Sequence, residues 1–249
     1  MGVNDRQNRT VLFVHIPKCA GTTLRVLFQQ QYPPKSQFII AHGIQSSKER
    51  LSREPAARRA QYGLIFGHMC WGWHTLVPEG RNYAYTTMLR EPHERTLSLF
   101  SHCRVNQHYL GAALRGHDIE YFLTSGVTGR ADNAMVRQLC GRDEFREQGA
   151  WKDTHIPPGQ ITRQDLEAAK ANLQSCALVG ISEEFDAYLE AGKREFGWRF
   201  GGYRIENKTM WERLRWRDLT NRQRAAVEKA NELDRELYQF AVELSRGQR

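Results

Sequence analysis

Two apolar rhythms alternate along this chain. Val11 to Ile16 is a short, continuous run of β-branched and aromatic residues, which predicts a buried strand; from Thr22 onward Leu24, Leu27 and Phe28 recur at i, i+3 and i+4, which predicts an amphipathic helix. The alternation returns downstream. Phe38 to Ala41 predicts a short strand, Gly63 to Gly67 another, and Tyr83 to Leu89 a central one, after which Pro92 is placed to open a helix carrying Leu97, Leu99 and Phe100. Ser46 to Tyr62, with Arg50, Arg53, Arg58 and Arg59, reads as a solvated basic helix or loop. Thr162 to Asp165 has the form of a capping box before a helix over Leu166 to Cys176; Ala177 to Ile181 predicts a buried strand and Glu183 to Phe196 a helix. A final helix is expected from near Thr220, with Val227, Ala230, Leu233, Leu237, Phe240, Ala241 and Leu244 on one core-facing side. Strands alternating with helices imply parallel pairing through right-handed crossovers, with ligand loops gathered at the strands' C-terminal ends. No repeat, low-complexity tract or long linker interrupts the pattern, so residues 1–249 read as one α/β domain.

The first strand-to-helix junction carries the strongest chemical signal. Lys18, Gly21, Thr22 and Thr23 stand between the apolar run and the helical pattern, so the turn feeds backbone N–H groups into a helix N-terminus whose dipole favours an anion. Gly21 admits close backbone approach, the threonines offer hydroxyls and Lys18 adds a full charge. A phosphate-type ligand follows. The order is not that of the Walker A loop, G-x-x-x-x-G-K-[ST], because Lys18 precedes Gly21 by three residues instead of following a glycine.

His15-Ile16-Pro17-Lys18-x-x-Gly21-Thr22-Thr23-Leu24 resembles the 5′-phosphosulfate loop of sulfotransferases that use 3′-phosphoadenosine 5′-phosphosulfate (PAPS), in particular sulfotransferase family 2. Leu89-Arg90-Glu91-Pro92-x-x-Arg95-x-x-Ser98 is similar to that family's 3′-phosphate motif. Weaker similarity runs through Asn133 to Gly141, Ala171 to Ile181 and Leu233 to Tyr238, so the resemblance spans roughly residues 10–245. It implies a P-loop-NTPase-like three-layer fold with a central parallel sheet and a helical C-terminal part. It also implies displacement at sulfur with PAPS as donor, its bisphosphate (PAP) as product, and no metal. Carried over residue by residue, Pro17, Lys18, Cys19, Ala20, Gly21, Thr22, Thr23 and Leu24 would line the 5′ side of the nucleotide, with the backbone from Ala20 to Leu24 on the 5′-phosphate. Arg90 and Ser98 would hold the 3′-phosphate, a planar fork and a hydroxyl suiting its oxygens. Arg95, one turn before Ser98, would face the same anion or Glu91. Asn207-Lys208-Thr209 resembles a segment that closes over the nucleotide, which brings Lys208 toward a phosphate.

Two catalytic residues are expected, Lys18 to stabilise the leaving oxygen and His68 as general base. His68 follows the Gly63 to Gly67 run and so falls at a strand's C-terminal end, where its Gly-His pair resembles the position of the family's catalytic histidines. A second histidine follows two residues later in glycosaminoglycan members; Cys70 stands there in this chain. His74 is a weaker candidate that would have to loop back, and His15 reads as structural, fixing the loop by a hydrogen bond. Trp71, Trp73 and Tyr83 either line an acceptor pocket or pack in the core.

Composition narrows the partners. A net charge of +8 on 249 residues suits an anionic ligand. A nucleotide kinase or NTPase would share the charge but needs a Walker Lys-Ser/Thr pair, and a nucleic-acid binder would cluster its basic residues on one stripe, whereas here they are spread. The expected partner is a hydroxyl-bearing acceptor, a glycan or small metabolite. Five cysteines without Cys-x-x-Cys spacing argue against a zinc site and a complete disulfide framework. Met1 to Arg9 has no apolar core of a signal peptide, and Val11 to Ile16 is too short to span a bilayer, so a cytoplasmic protein is expected. The family's glycosaminoglycan members carry a membrane helix that this sequence lacks.

Overall fold

The computed structural model describes residues 9–40, 43–105, 110–144, 154–200 and 214–248. Five parallel strands form one sheet in the order β2-β3-β1-β4-β5: β1 Arg9–Val14, β2 Gln37–Ile39, β3 Leu64–Gly67, β4 Asn82–Leu89 and β5 Leu178–Ile181. The strand read as central, β4, is interior; the centre itself is β1, with β3 and β4 on its two sides. Side chains of β1 alternate between the faces. Leu12 and Val14 join one core with Ile65, Tyr85 and Leu89, while Val11 and Phe13 join the other with Leu64, Phe66 and Met88.

Helices cover both faces. α1 (Gly21–Gln31) buries Leu24, Leu27 and Phe28 on the Phe13 side, as its spacing requires. The basic segment forms α2 (Ile44–Arg53) and α3 (Ala56–Arg59), with Arg50 and Arg53 exposed as expected and Leu51 fully buried on the Leu12 side. Two of its guanidinium groups lie over aromatic rings that are themselves buried, Arg50 at 4.5 Å from Phe38 and Arg58 at 4.6 Å from Tyr62.

α4 (Pro92–Val105) follows β4, and α5 (Ile119–Thr124) packs with it in a third cluster around Phe100 and Phe122. α6 (Ala134–Leu139) and α7 (Arg163–Gln174) complete the Leu12 side, α7 starting on the expected capping box of Thr162 and Asp165. α8 (Phe185–Phe196) lies on the Phe13 side.

The C-terminal segment departs from a single helix. It breaks at Asn231 into α9 (Asn221–Ala230) and α10 (Glu232–Gly247), so Val227 packs in the third cluster while Leu233, Leu237 and Ala241 pack beneath the sheet. The break is made by two asparagines. Asn133 donates its backbone N–H to the Ala230 carbonyl at 2.8 Å and accepts from Leu233 and Asp234 N–H groups, capping α10, while buried Asn231 donates to the Val227 carbonyl.

Among the described residues no helix is long and apolar enough to cross a membrane, and no cluster of three or more His, Cys, Asp or Glu is arranged to hold a metal. The five cysteines are all buried and none is in a disulfide.

One buried ion cluster ties α6 to the segments around it. Arg137 is fully buried and donates to Asp132 and to Asp143, each at 2.8 Å, and to the Ile156 carbonyl at 2.6 Å. Replacing Arg137 with Met leaves the Asp143 carboxylate buried without its counter-charge, and is expected to destabilise the fold by about 3–5 kcal/mol in urea unfolding. A loss below about 1 kcal/mol would show that the cluster contributes nothing net.

Candidate functional site

Strand register creates the site. Val14 is level with Gly67 on β3 and with Thr87 on β4, so the loops leaving all three strands emerge together. His15 is the first residue beyond β1, and its N–H donates to the Gly67 carbonyl at 2.9 Å. His68 is the first beyond β3. The two imidazoles therefore stack, with centroids 4.1 Å apart and planes 24° from parallel. Gly67 permits the arrangement, because a Cβ there would come within 2.4 Å of Ile40 Cβ.

A hydrogen bond at 2.8 Å joins His68 Nδ1 to the His15 carbonyl oxygen. A carbonyl only accepts, so Nδ1 carries the proton and Nε2 keeps its lone pair. His15 does fix the loop, as expected, but with its backbone: the same carbonyl also accepts from Gln138 Nε2 at 2.9 Å.

Beyond His15 the chain turns through two non-glycine residues at positive φ, Lys18 at 71° and Ala20 at 55°. Ala20 is the N-cap of α1 and no side chain caps that helix; its first turn holds no acidic residue. An α-helix start without a cap presents N–H donors that favour an anion. The loop side chains divide by depth: Cys19 is buried, Thr22 exposed, Thr23 and Leu24 buried. Leu24 sits in the core and its N–H donates to the Ala20 carbonyl, so the loop's outward donors come from the residues before it. Burial pushes the Cys19 thiol up to about 12, which keeps it neutral. Gly21 is required by a close approach: a Cβ there would lie 1.8 Å from His15 Nε2.

Arg90, just past β4, reaches across to this loop. Its Nη1 donates to the Lys18 carbonyl at 3.2 Å, and its Nη2 pairs with Glu94 at 3.4 Å. Glu94 and Ser98 are one turn apart on α4, and Arg90, two residues before the helix, is joined to that turn by its pair with Glu94; Ser98 is largely buried. Arg95 does not join them. It is fully buried, its Nη2 donates to Thr96 Oγ1 and to the Arg130 carbonyl rather than to Glu91, and its Nε and Nη1 have no hydrogen-bond partner among the described residues. Lys208 and the Asn207 to Thr209 segment lie outside the described residues.

His74 stays away from the loops. Its ring stacks on Tyr83 at 5.2 Å and its Nδ1 meets the Tyr85 hydroxyl, both on the N-terminal half of β4. Of the aromatic cluster, Trp73 is buried, Trp71 stacks on Tyr85 at 3.8 Å and Tyr83 is exposed.

Charges converge on the histidine pair from elements that single motifs do not connect. Burial above all, then Arg130, and more weakly His102 and Arg25, pull the His68 pKa down to about 4, against the raising effect of the His15 carbonyl. His15 is lowered too, by burial first and then by His68, Arg25 and Lys18. Arg25 stands one turn into α1, a position readable from the loop; Arg130, on a 3-10 turn (Gly129–Ala131), and His102, late in α4, carry no local signal.

The α/β domain thus gathers a cationic strand-to-helix loop after β1, His68 after β3 on one side of it and Arg90 after β4 on the other, at one end of the sheet. The model of the sulfotransferase family matches residues 3–241, nearly the whole chain, and the protein belongs to that family. Its activity is accordingly that of a sulfotransferase. No curated protein matches the chain.

The lowered His68 pKa has a sign. Between its ordinary 6.5 and about 4 the unfolded chain takes up a proton that the folded protein refuses, so stability falls as pH drops through that window. Replacing His68 with Asn is expected to shrink the loss of unfolding free energy between pH 7 and pH 4.5 by on the order of 1–3 kcal/mol, leaving the share due to His15. An unchanged acid limb in urea titrations would contradict the buried neutral state.

Proposed function

We propose that the protein moves a sulfuryl group from PAPS to an acceptor hydroxyl, on a glycan or a small metabolite, by in-line displacement. One observation carries the reading: the Nδ1–H bond of His68 to the His15 carbonyl leaves Nε2 as a base at the mouth of a cationic loop. The donor set suits a bisphosphate nucleotide. The uncapped start of α1 offers its first backbone N–H groups, and Lys18 and Thr22 their side chains, to a 5′-phosphate. Arg90 and Ser98 come from a different strand-to-helix junction and suit a 3′-phosphate, with Glu94 giving up its share of the guanidinium.

When bound, PAPS supplies a sulfuryl group carried on a phosphate leaving oxygen. His68 Nε2 takes the proton of the acceptor hydroxyl as its oxygen bonds to sulfur. The Lys18 ammonium meets the charge left on the phosphate oxygen as the old bond breaks. A base at about 4 is weak at neutral pH, but the negative charge of a bound nucleotide beside it raises that value toward the working range. The cations around His68 leave it neutral and ready to accept until that charge arrives.

Calorimetry and turnover test this. PAP is expected to bind without Mg²⁺ and ATP much more weakly, and Arg90→Ala to weaken PAP by about 1.5–3 kcal/mol. His68→Ala is expected to leave PAP affinity nearly intact while abolishing sulfated product detected by mass spectrometry after incubation with PAPS and metabolite or glycan extracts. Preference for Mg²⁺–ATP, or turnover that survives in His68→Ala, would overturn the nucleotide or the base assignment respectively.

A further inference from the structure

We infer that Gln138, on α6, is a positioning residue for His68. The inference rests on the proposed role of His68 as base. Gln138 is fully buried, and its side-chain amide donates to two carbonyls at once: that of His15 at 2.9 Å and that of Met69 at 2.9 Å. The first carbonyl is the acceptor of the His68 Nδ1 proton, and the second belongs to the residue that follows His68. The amide thus grips the chain on both sides of the imidazole. Its own backbone carbonyl adds a third hold, accepting the Trp71 N–H at 2.9 Å.

The orientation of this amide is settled by its partners. Turned over, its oxygen would face two carbonyl oxygens, with no donor between them. In the orientation present, Oε1 is buried and has no hydrogen-bond partner among the described residues. A side chain placed there for packing alone would be apolar, because an unsatisfied buried acceptor is unfavourable and a methionine fills similar volume without one. The glutamine is explained by its NH₂ group, which locks the carbonyl that sets the imidazole tautomer. Fixing a histidine through the partner of its second nitrogen is the general way in which a ring's orientation and basic atom are chosen.

The test reads the imidazole directly and needs no acceptor. The protein is labelled with ¹⁵N histidine, the His68 signals are assigned by their loss in His68→Asn, and wild type is compared with Gln138→Met. Wild type is expected to show a single tautomer, protonated at Nδ1, with slow exchange of that proton with water. Gln138→Met is expected to keep the thermal transition cooperative and PAP affinity unchanged, while His68 becomes a mixture of tautomers and its Nδ1 proton exchanges about tenfold faster or more. A variant that keeps one tautomer and the wild-type exchange rate overturns the inference. If Gln138→Met fails to fold, the wild-type spectrum still decides: a His68 that is a mixture of tautomers, or one whose Nδ1 proton exchanges rapidly, overturns the inference. Retained turnover in His68→Ala would instead remove the base role, and leaves the tautomer measurement standing on its own.

Discussion

The pairing of β1 with β3 on one side and β4 on the other is the constraint from which the site follows. β1 and β3 end at one level and β4 two residues beyond, so three loops leave the same end of the sheet side by side and their first residues have no choice of neighbour. His15 meets His68 because Val14 is level with Gly67; Arg90 meets the Lys18 carbonyl because β4 runs two residues further than the strand beside it. A register slip of one residue would send the alternating apolar side chains of β1 to the wrong faces, and Leu12 and Phe13 are both buried in different cores. The geometry of the chemistry is therefore protected by the hydrophobic pattern, which is the most strongly determined feature of the chain.

That dependence explains what could be read in advance. Strands and the first helices were legible because their patterns are local and their ends are marked by Gly, Pro and capping residues; the two anion motifs were legible because each is one contiguous strand-to-helix junction. Gln138, Arg130 and His102 were not. They reach the histidines from α6, a 3-10 turn and the far end of α4, and such meetings are decided by tertiary packing. Arg95 shows the converse: helical spacing sets its place one turn before Ser98, but the core side of α4 took the side chain. The break at Asn231 is not legible in the pattern because the apolar period continues through it, while Asn133, which caps the second helix, and Thr96, which donates to the Asn231 side chain, are distant in sequence.

The electrostatic design is equally long-range. Burial and converging cations hold both histidines neutral, so the site gathers positive charge without placing it on the imidazoles. Glu94 pairs with the Arg90 nitrogen that does not donate to the Lys18 carbonyl, and so compensates part of that charge. Cys19, central in the loop, takes no part in this balance, since burial holds its thiol protonated.

Lys18 and Ala20 adopt left-handed backbone where glycine would be easier. Glycine at either place would relax the turn, and it would also widen the range of shapes open to it in the absence of a ligand. By keeping side chains there the protein meets the ordering entropy of the loop during folding, when the whole sheet contributes, instead of at the moment of binding. The strained turn is in this sense a store of pre-organisation, and any anion that docks on it finds its cradle already shaped.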